Sequence, residues 1–116
     1  MKLDLREKEE IAILELSGNL TSSGGDEMFR EAIDTLAGSG RLDILLDCTR
    51  LEFMDSAGIG ELVAGFRMVE KFGGKLKILK ATSQVRKSLT LAKLLPIFEI
   101  YEDEQEAISS FSTPSK

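Results

Sequence analysis

The sequence contains no histidine and only one cysteine, Cys48. Without an imidazole there is no Ser-His-Asp or Cys-His nucleophile activation, no histidine zinc site and no ready proton switch near neutral pH. A lone cysteine excludes an intramolecular disulfide and a thiolate zinc site, and it suits a reducing compartment. No run approaches the roughly 20 apolar residues of a membrane helix. The start, Met1-Lys2-Leu3-Asp4-Leu5-Arg6, lacks the apolar core of a signal peptide. Basic residues are outnumbered, with 15 Lys plus Arg against 20 Asp plus Glu and a net charge of −5. Such a chain, with no long basic run, is ill-suited to nucleic-acid binding through phosphate contacts. These absences predict a cytoplasmic, soluble protein with no direct nucleic-acid partner, no membrane insertion and no cofactor. They also place catalysis behind binding as the expected role.

What is present fits one domain. The 116 residues are 42% apolar and 30% charged, and a chain of this length buries roughly 65% of its unfolded surface without a disulfide or metal staple. Leu3 and Leu5 alternate with charged neighbours, and Ile11 to Leu16 follows the Glu7-Lys8-Glu9-Glu10 turn, so the two segments predict an N-terminal hairpin ending at Ser17-Gly18. From Asp26 the spacing becomes helical, with Phe29, Ala32, Ile33 and Leu36 on one face. Ser23-x-x-Asp26 resembles a capping box for that helix, and Gly38 and Gly40 end it. Leu42 to Cys48 reads as a buried central strand.

The clearest helical stripe follows Asp55-Ser56: Ile59, Leu62, Val63, Phe66 and Val69, stopped by Gly73-Gly74. Lys75 to Lys80 alternates as a strand. Val85, Leu89 and Ala92 mark a helix capped by Thr82 or Ser83, and Ile97 to Tyr101 a last short strand. Asp103-x-x-Glu106 opens a C-terminal helix carrying Ala107, Ile108 and Phe111, and residues 112–116 are expected to fray. Strands separated by helices imply right-handed crossovers. The predicted fold is therefore a single-domain α/β structure over residues 1–111, its mixed, mostly parallel sheet flanked by about four helices.

Sites in such sheets collect beyond the carboxyl ends of the parallel strands. That places Phe53-Met54-Asp55-Ser56-Ala57-Gly58-Ile59-Gly60 at the expected location, with Asp55 or Ser56 capping the next helix. Two glycines in a first helical turn cost roughly 1 kcal/mol each against alanine, which points to a close backbone approach there. Ala57, Glu61, Ala64, Met68 and Lys71 follow helical spacing opposite the core stripe, with Gly65 beside them. This strip, low in charge, suits either a docking surface or packing on a neighbouring element.

The segment Asp55-Ser56-Ala57-Gly58-Ile59-Gly60, after Asp47 and Phe53-Met54, resembles the signature of the STAS domain, and more closely that of bacterial anti-sigma-factor antagonists. The likeness runs almost end to end, through Leu16-Ser17-Gly18-Asn19-Leu20, Gly74-Lys75-Leu76, Ser83 to Leu89 and Asp103 to Ala107. It implies a switch protein that binds an anti-sigma factor, often an ATP-dependent serine kinase, and so releases the sigma factor. The resemblance makes Ser56 the phosphorylated residue, with a serine phosphatase restoring the complex. It places partner contacts at Asp55, Ser56, Ala57, Gly58, Gly60, Glu61, Ala64, Met68 and Thr21. Thr21 stands where the family commonly has an acidic residue, and it carries a hydroxyl but no charge.

Other readings fit less well. A serine hydrolase elbow needs Gly-x-Ser-x-Gly, but Met54 occupies the first glycine position and no histidine can act as base. Gly73-Gly74-Lys75 lacks phosphate-loop spacing and precedes a strand. The alternative within the family is a non-switching STAS scaffold of a stress-signalling or lipid-transport complex, told apart by whether a kinase modifies Ser56.

Overall fold

The computed structural model describes residues 1–112. The remainder of the tail, 113–116, for which fraying was expected, lies outside the described residues. Two antiparallel strands, β1 (Lys2–Lys8) and β2 (Ile11–Leu20), form the hairpin. Glu9 and Glu10 close it with φ of 52° and 68°. Positive φ at both positions is the backbone of a type I′ turn, normally occupied by Asn-Gly. Helix α1 (Gly25–Gly38) leads to β3 (Asp43–Met54), α2 (Ser56–Lys71), β4 (Lys75–Leu79), α3 (Ser83–Leu91), β5 (Ile100–Tyr101) and α4 (Glu104–Phe111). The five strands lie in chain order, β1-β2-β3-β4-β5, and all pairs after the hairpin are parallel.

Alternation along the strands splits the core in two. One face, with Ala12, Leu14, Leu16, Ile44, Leu46, Leu76 and Ile78, packs under α1 and α2 and against Val85 and Leu89 of α3. The other, with Ile13, Leu45 and Leu79, packs against Ala107 and Ile108 of α4. The second face is partly ionic. Arg6 on β1 bonds Glu15 on β2 at 2.6 Å and reaches across 98 residues to Glu104 at the start of α4. Lys77 is only 5% exposed; its ammonium donates to the Ser110 carbonyl and hydroxyl and lies 4.8 Å from the centre of the Phe111 ring.

Three boundaries differ from the sequence expectation. The capping box at α1 does not form: its N-cap is Gly24, left-handed at φ 119°, and the Asp26 amide donates to the Thr21 carbonyl instead. β2 and β3 run beyond the expected stops, to Leu20 and Met54, and two register shifts at Glu15/Ser17 and Gly18/Asn19 absorb the irregular residues. The last strand shrinks to Ile100–Tyr101 because Leu95–Ile97, with Pro96 inside, turns into a short 3-10 helix. The chain belongs to the expected fold class nonetheless.

Candidate functional site

The long strand β3 delivers the chain to the carboxyl edge of the sheet, where Leu51 and Met54 anchor it in the core. Asp55 then adopts an extended conformation and caps α2, its Oδ1 accepting from the Gly58 amide at 2.9 Å. Its other oxygen accepts from the Ser22 amide, also at 2.9 Å. The carboxylate therefore ties the β2–α1 loop to the start of α2. The Ser22 and Gly58 amides, in that order of effect, hold its pKa below the usual aspartate value.

Backbone packing tightens the same joint. A Cβ on Gly58 would sit 1.9 Å from the Leu20 carbonyl oxygen, and one on Gly25 2.4 Å from that of Asn19. Only glycine lets α2 and α1 approach the end of β2 this closely. The Asp55 amide adds a bond to the Leu20 carbonyl at 3.3 Å. Gly60 differs, for nothing lies within 4 Å of its Cβ position.

Ser56 opens α2 as its first helical residue, with an exposed side chain. Gly60, Ala64, Arg67 and Lys71 are likewise exposed at helical spacing below it, so the solvent-facing strip of α2 starts at the Ser56 hydroxyl. The positive end of the helix dipole and first-turn amides lie at that hydroxyl, an environment that tolerates negative charge.

The remaining expected site residues divide between this strip and its supports. Gly58 is buried beneath the Leu20 carbonyl. Glu61 turns toward α1 and accepts from Arg30 at 2.7 and 3.0 Å. Met68 packs half-buried against the core, while Gly65 would meet Phe29 at 3.5 Å with a Cβ. The Glu61-Met68 side of the strip thus follows the α1–α2 seam, and Ala57 is half-buried in the first turn. Thr21 is half-buried in the loop; its carbonyl accepts from Asp26, and its hydroxyl sits 3.4 Å from the Ser23 amide.

One participant was not visible in the pattern. Ser22 acts through its backbone amide, for which a side chain gives no signal. Phe53, three residues before Ser56, is 43% exposed although Leu51, two residues earlier on the strand, is buried. Cys48 is buried, and desolvation followed by the Asp47 charge pushes its thiol up to about 12. It is therefore no nucleophile.

Comparison with known proteins fits this architecture. A model of the STAS domain family matches residues 2–107. The chain belongs to the STAS domain family. An anti-sigma F factor antagonist of Paenibacillus polymyxa is 23% identical over 115 residues, covering 99% of this chain and 98% of that protein. The anti-sigma-B factor antagonist of Bacillus subtilis (strain 168) is 26% identical over 100 residues, covering 86% and 90%. Among solved structures, the Bacillus antagonist SpoIIAA superposes in its unphosphorylated form with a TM-score of 0.81 at 27% identity, over 99% of this chain and 100% of that one. Its phosphorylated form gives 0.73 at 28% identity, over 94% and 98%. Among the described residues of this STAS domain, no helix is long and apolar enough to cross a membrane.

Proposed function

We propose that this STAS domain is an anti-sigma factor antagonist, with no catalytic activity of its own. It binds an anti-sigma factor that is also an ATP-dependent serine kinase, through the exposed strip that begins at Ser56 and the adjoining Thr21–Ser23 loop. Asp55 positions that loop, and Ala57, Gly58, Glu61 and Met68 fix the helix under Gly60 and Ala64. The kinase transfers a phosphoryl group from ATP to the Ser56 hydroxyl, and a serine phosphatase removes it by hydrolysis.

One observation carries the reading: Ser56 is exposed at the first position of a helix whose entry is held from several directions. A phosphate there adds roughly 1.5 to 2 negative charges. The helix end accommodates them, so the fold persists. A partner surface shaped around a neutral hydroxyl does not, because closing it would desolvate a dianion beside the Asp55 carboxylate. The STAS relatives named above as antagonists, one of them solved in both phosphorylation states, support the same assignment.

The test is to incubate the protein with its candidate kinase and ATP and to map the modified residue by mass spectrometry. Phosphate at Ser56 supports the proposal, and Ser56→Ala then keeps binding while losing control. Ser56→Asp should weaken binding by roughly tenfold or more. Equal affinities for all three forms, or a kinase that binds without modifying Ser56, would refute the switch and favour a constitutive scaffold.

A further inference from the structure

The sheet has two unlike edges. β5 is only Ile100–Tyr101, too short to template another strand, whereas β1 offers the whole of Lys2–Lys8. Edge strands of that length are usually blunted by proline, by a bulge or by charge at their centre. β1 contains no proline, its pairing with β2 has no register shift, and its central residue is Leu5, 53% exposed. Charge lies on both sides of it, in Lys2, Asp4, Arg6, Glu7 and Lys8.

The hairpin register shows which backbone groups face outward. Lys8 and Ile11 flank the Glu9-Glu10 turn and form a hydrogen-bonded pair, so by alternation Arg6, Asp4 and Lys2 bond inward to β2. The amides and carbonyls of Leu3, Leu5 and Glu7 point away from the sheet. A two-fold axis perpendicular to the sheet can only relate residues whose numbers share parity, because it must keep each face of the sheet on its own side. Centred on Leu5, it sets Leu5 opposite Leu5, Leu3 opposite Glu7, and Asp4 opposite Arg6 twice over. Sliding by one pleat either way would set Asp4 against Asp4 or Arg6 against Arg6. Lys2 and Lys8 meet only at the rim, where solvent screens them.

We propose that β1 is a self-association edge whose occupant is a second copy of this chain, paired antiparallel in the register centred on Leu5. The choice of a second copy rests on the reciprocity of the pattern, since one sequence supplies both the acid, Asp4, and the base, Arg6, of the two pairs that flank Leu5. The two sheets become continuous. Because β2, β3 and β4 run parallel to one another, the two-fold axis sends the Ser56 loops to opposite ends, and both stay open.

Sedimentation velocity on the full chain over a concentration series should show a reversible monomer–dimer equilibrium, and Leu5→Lys should weaken it at least roughly tenfold. Hydrogen-bonded partners have Cα atoms about 5.5 Å apart, within disulfide range. Leu5→Cys should therefore crosslink to itself under mild oxidation, while Leu3→Cys, placed opposite Glu7, should not. Cys48 is buried and does not compete. A monomer throughout the series, or Leu3→Cys crosslinking as readily as Leu5→Cys, would overturn the proposal.

Discussion

Replacing Gly58 and Gly60 by alanine, one at a time, adds the same methyl group at two places in the first turns of α2 and should change stability in opposite directions. In an unencumbered helix each substitution gains roughly 1 kcal/mol from reduced chain entropy and better helix propensity. Gly60 is unencumbered, since no atom lies within 4 Å of the added carbon. Gly58 is not: the new Cβ would fall 1.9 Å from the Leu20 oxygen, against the 3.4 Å at which ordinary contact begins. The obstacle is backbone at the end of β2, where Leu20 pairs with Met54 of β3, so α2 must lift by about 1.5 Å, a displacement of the overpacking class that costs roughly 1–3 kcal/mol. Lifting the helix also breaks the Asp55–Leu20 backbone bond and loosens the Ser22 tie. Net, Gly60→Ala should stabilise by about 0.5–1 kcal/mol and Gly58→Ala destabilise by about 2 kcal/mol. At this chain length the gap corresponds to roughly 10 °C between thermal midpoints, with matching shifts in urea midpoint at constant slope. Circular dichroism melts of both variants decide the matter. Midpoints within about 3 °C of each other would mean that the Leu20 carbonyl does not dictate glycine at position 58.

Three further outcomes follow from other contacts. Asp55 is an aspartate whose pKa is depressed in the folded state by the Ser22 and Gly58 amides, so its stabilising effect is present above the ordinary aspartate value of about 4 and lost as pH falls through the lower folded value. Wild type should therefore be more stable than Asp55→Ala at neutral pH and the two should converge in acid; parallel pH–stability curves would rule out the carboxylate's role. Replacing Glu9-Glu10 by Asn-Gly suits the observed φ of 52° and 68° and should raise unfolding free energy by about 1 kcal/mol, checked by urea titration. Cys48 should resist thiol reagents in native buffer and react at the rate of unfolding in denaturant; rapid native labelling would contradict its burial.

The order of elements was readable because each signal was local. The alternation in β1, the apolar run of β3 and the stripe of α2 all come from neighbouring residues, and Asp55, Thr82 and Asp103 do cap helices as their positions suggested. What was hidden depends on contacts distant in sequence. The Ser23–Asp26 box looked sound, but the Thr21 carbonyl and a left-handed Gly24 satisfy the helix start without it. Lys77 sits in an alternating strand and would pass for solvent-facing; it is buried because α4 arrives over it with Ser110 and Phe111. The Arg6–Glu104 pair joins the two ends of the chain, and no periodicity announces it. At the site, the need for glycine was legible but its cause was not. Of two glycines that looked alike, one is dictated by the Leu20 carbonyl and the other leaves open surface.

That difference between the glycines bears on how a charge at Ser56 would be felt. A conformational switch needs an element with two arrangements close in energy. The entry to α2 offers little room for a second arrangement: Asp55 bonds both Ser22 and Gly58, Gly58 rests on Leu20, and Gly25 rests on Asn19. Moving the loop would break several of these at once. Ser56 itself is not among the residues that make them. A group added to its hydroxyl therefore finds a rigid platform, and its free energy must appear outside the fold, in whatever surface meets the strip through Gly60 and Ala64. The physical consequence is that modification at this position should alter association steeply while changing the thermal midpoint of the isolated domain little. Measuring both quantities on Ser56→Asp separates the two cases: a large fall in binding with an unchanged melt fits the rigid platform, whereas a melt that falls in step with affinity would mean that the helix start rearranges.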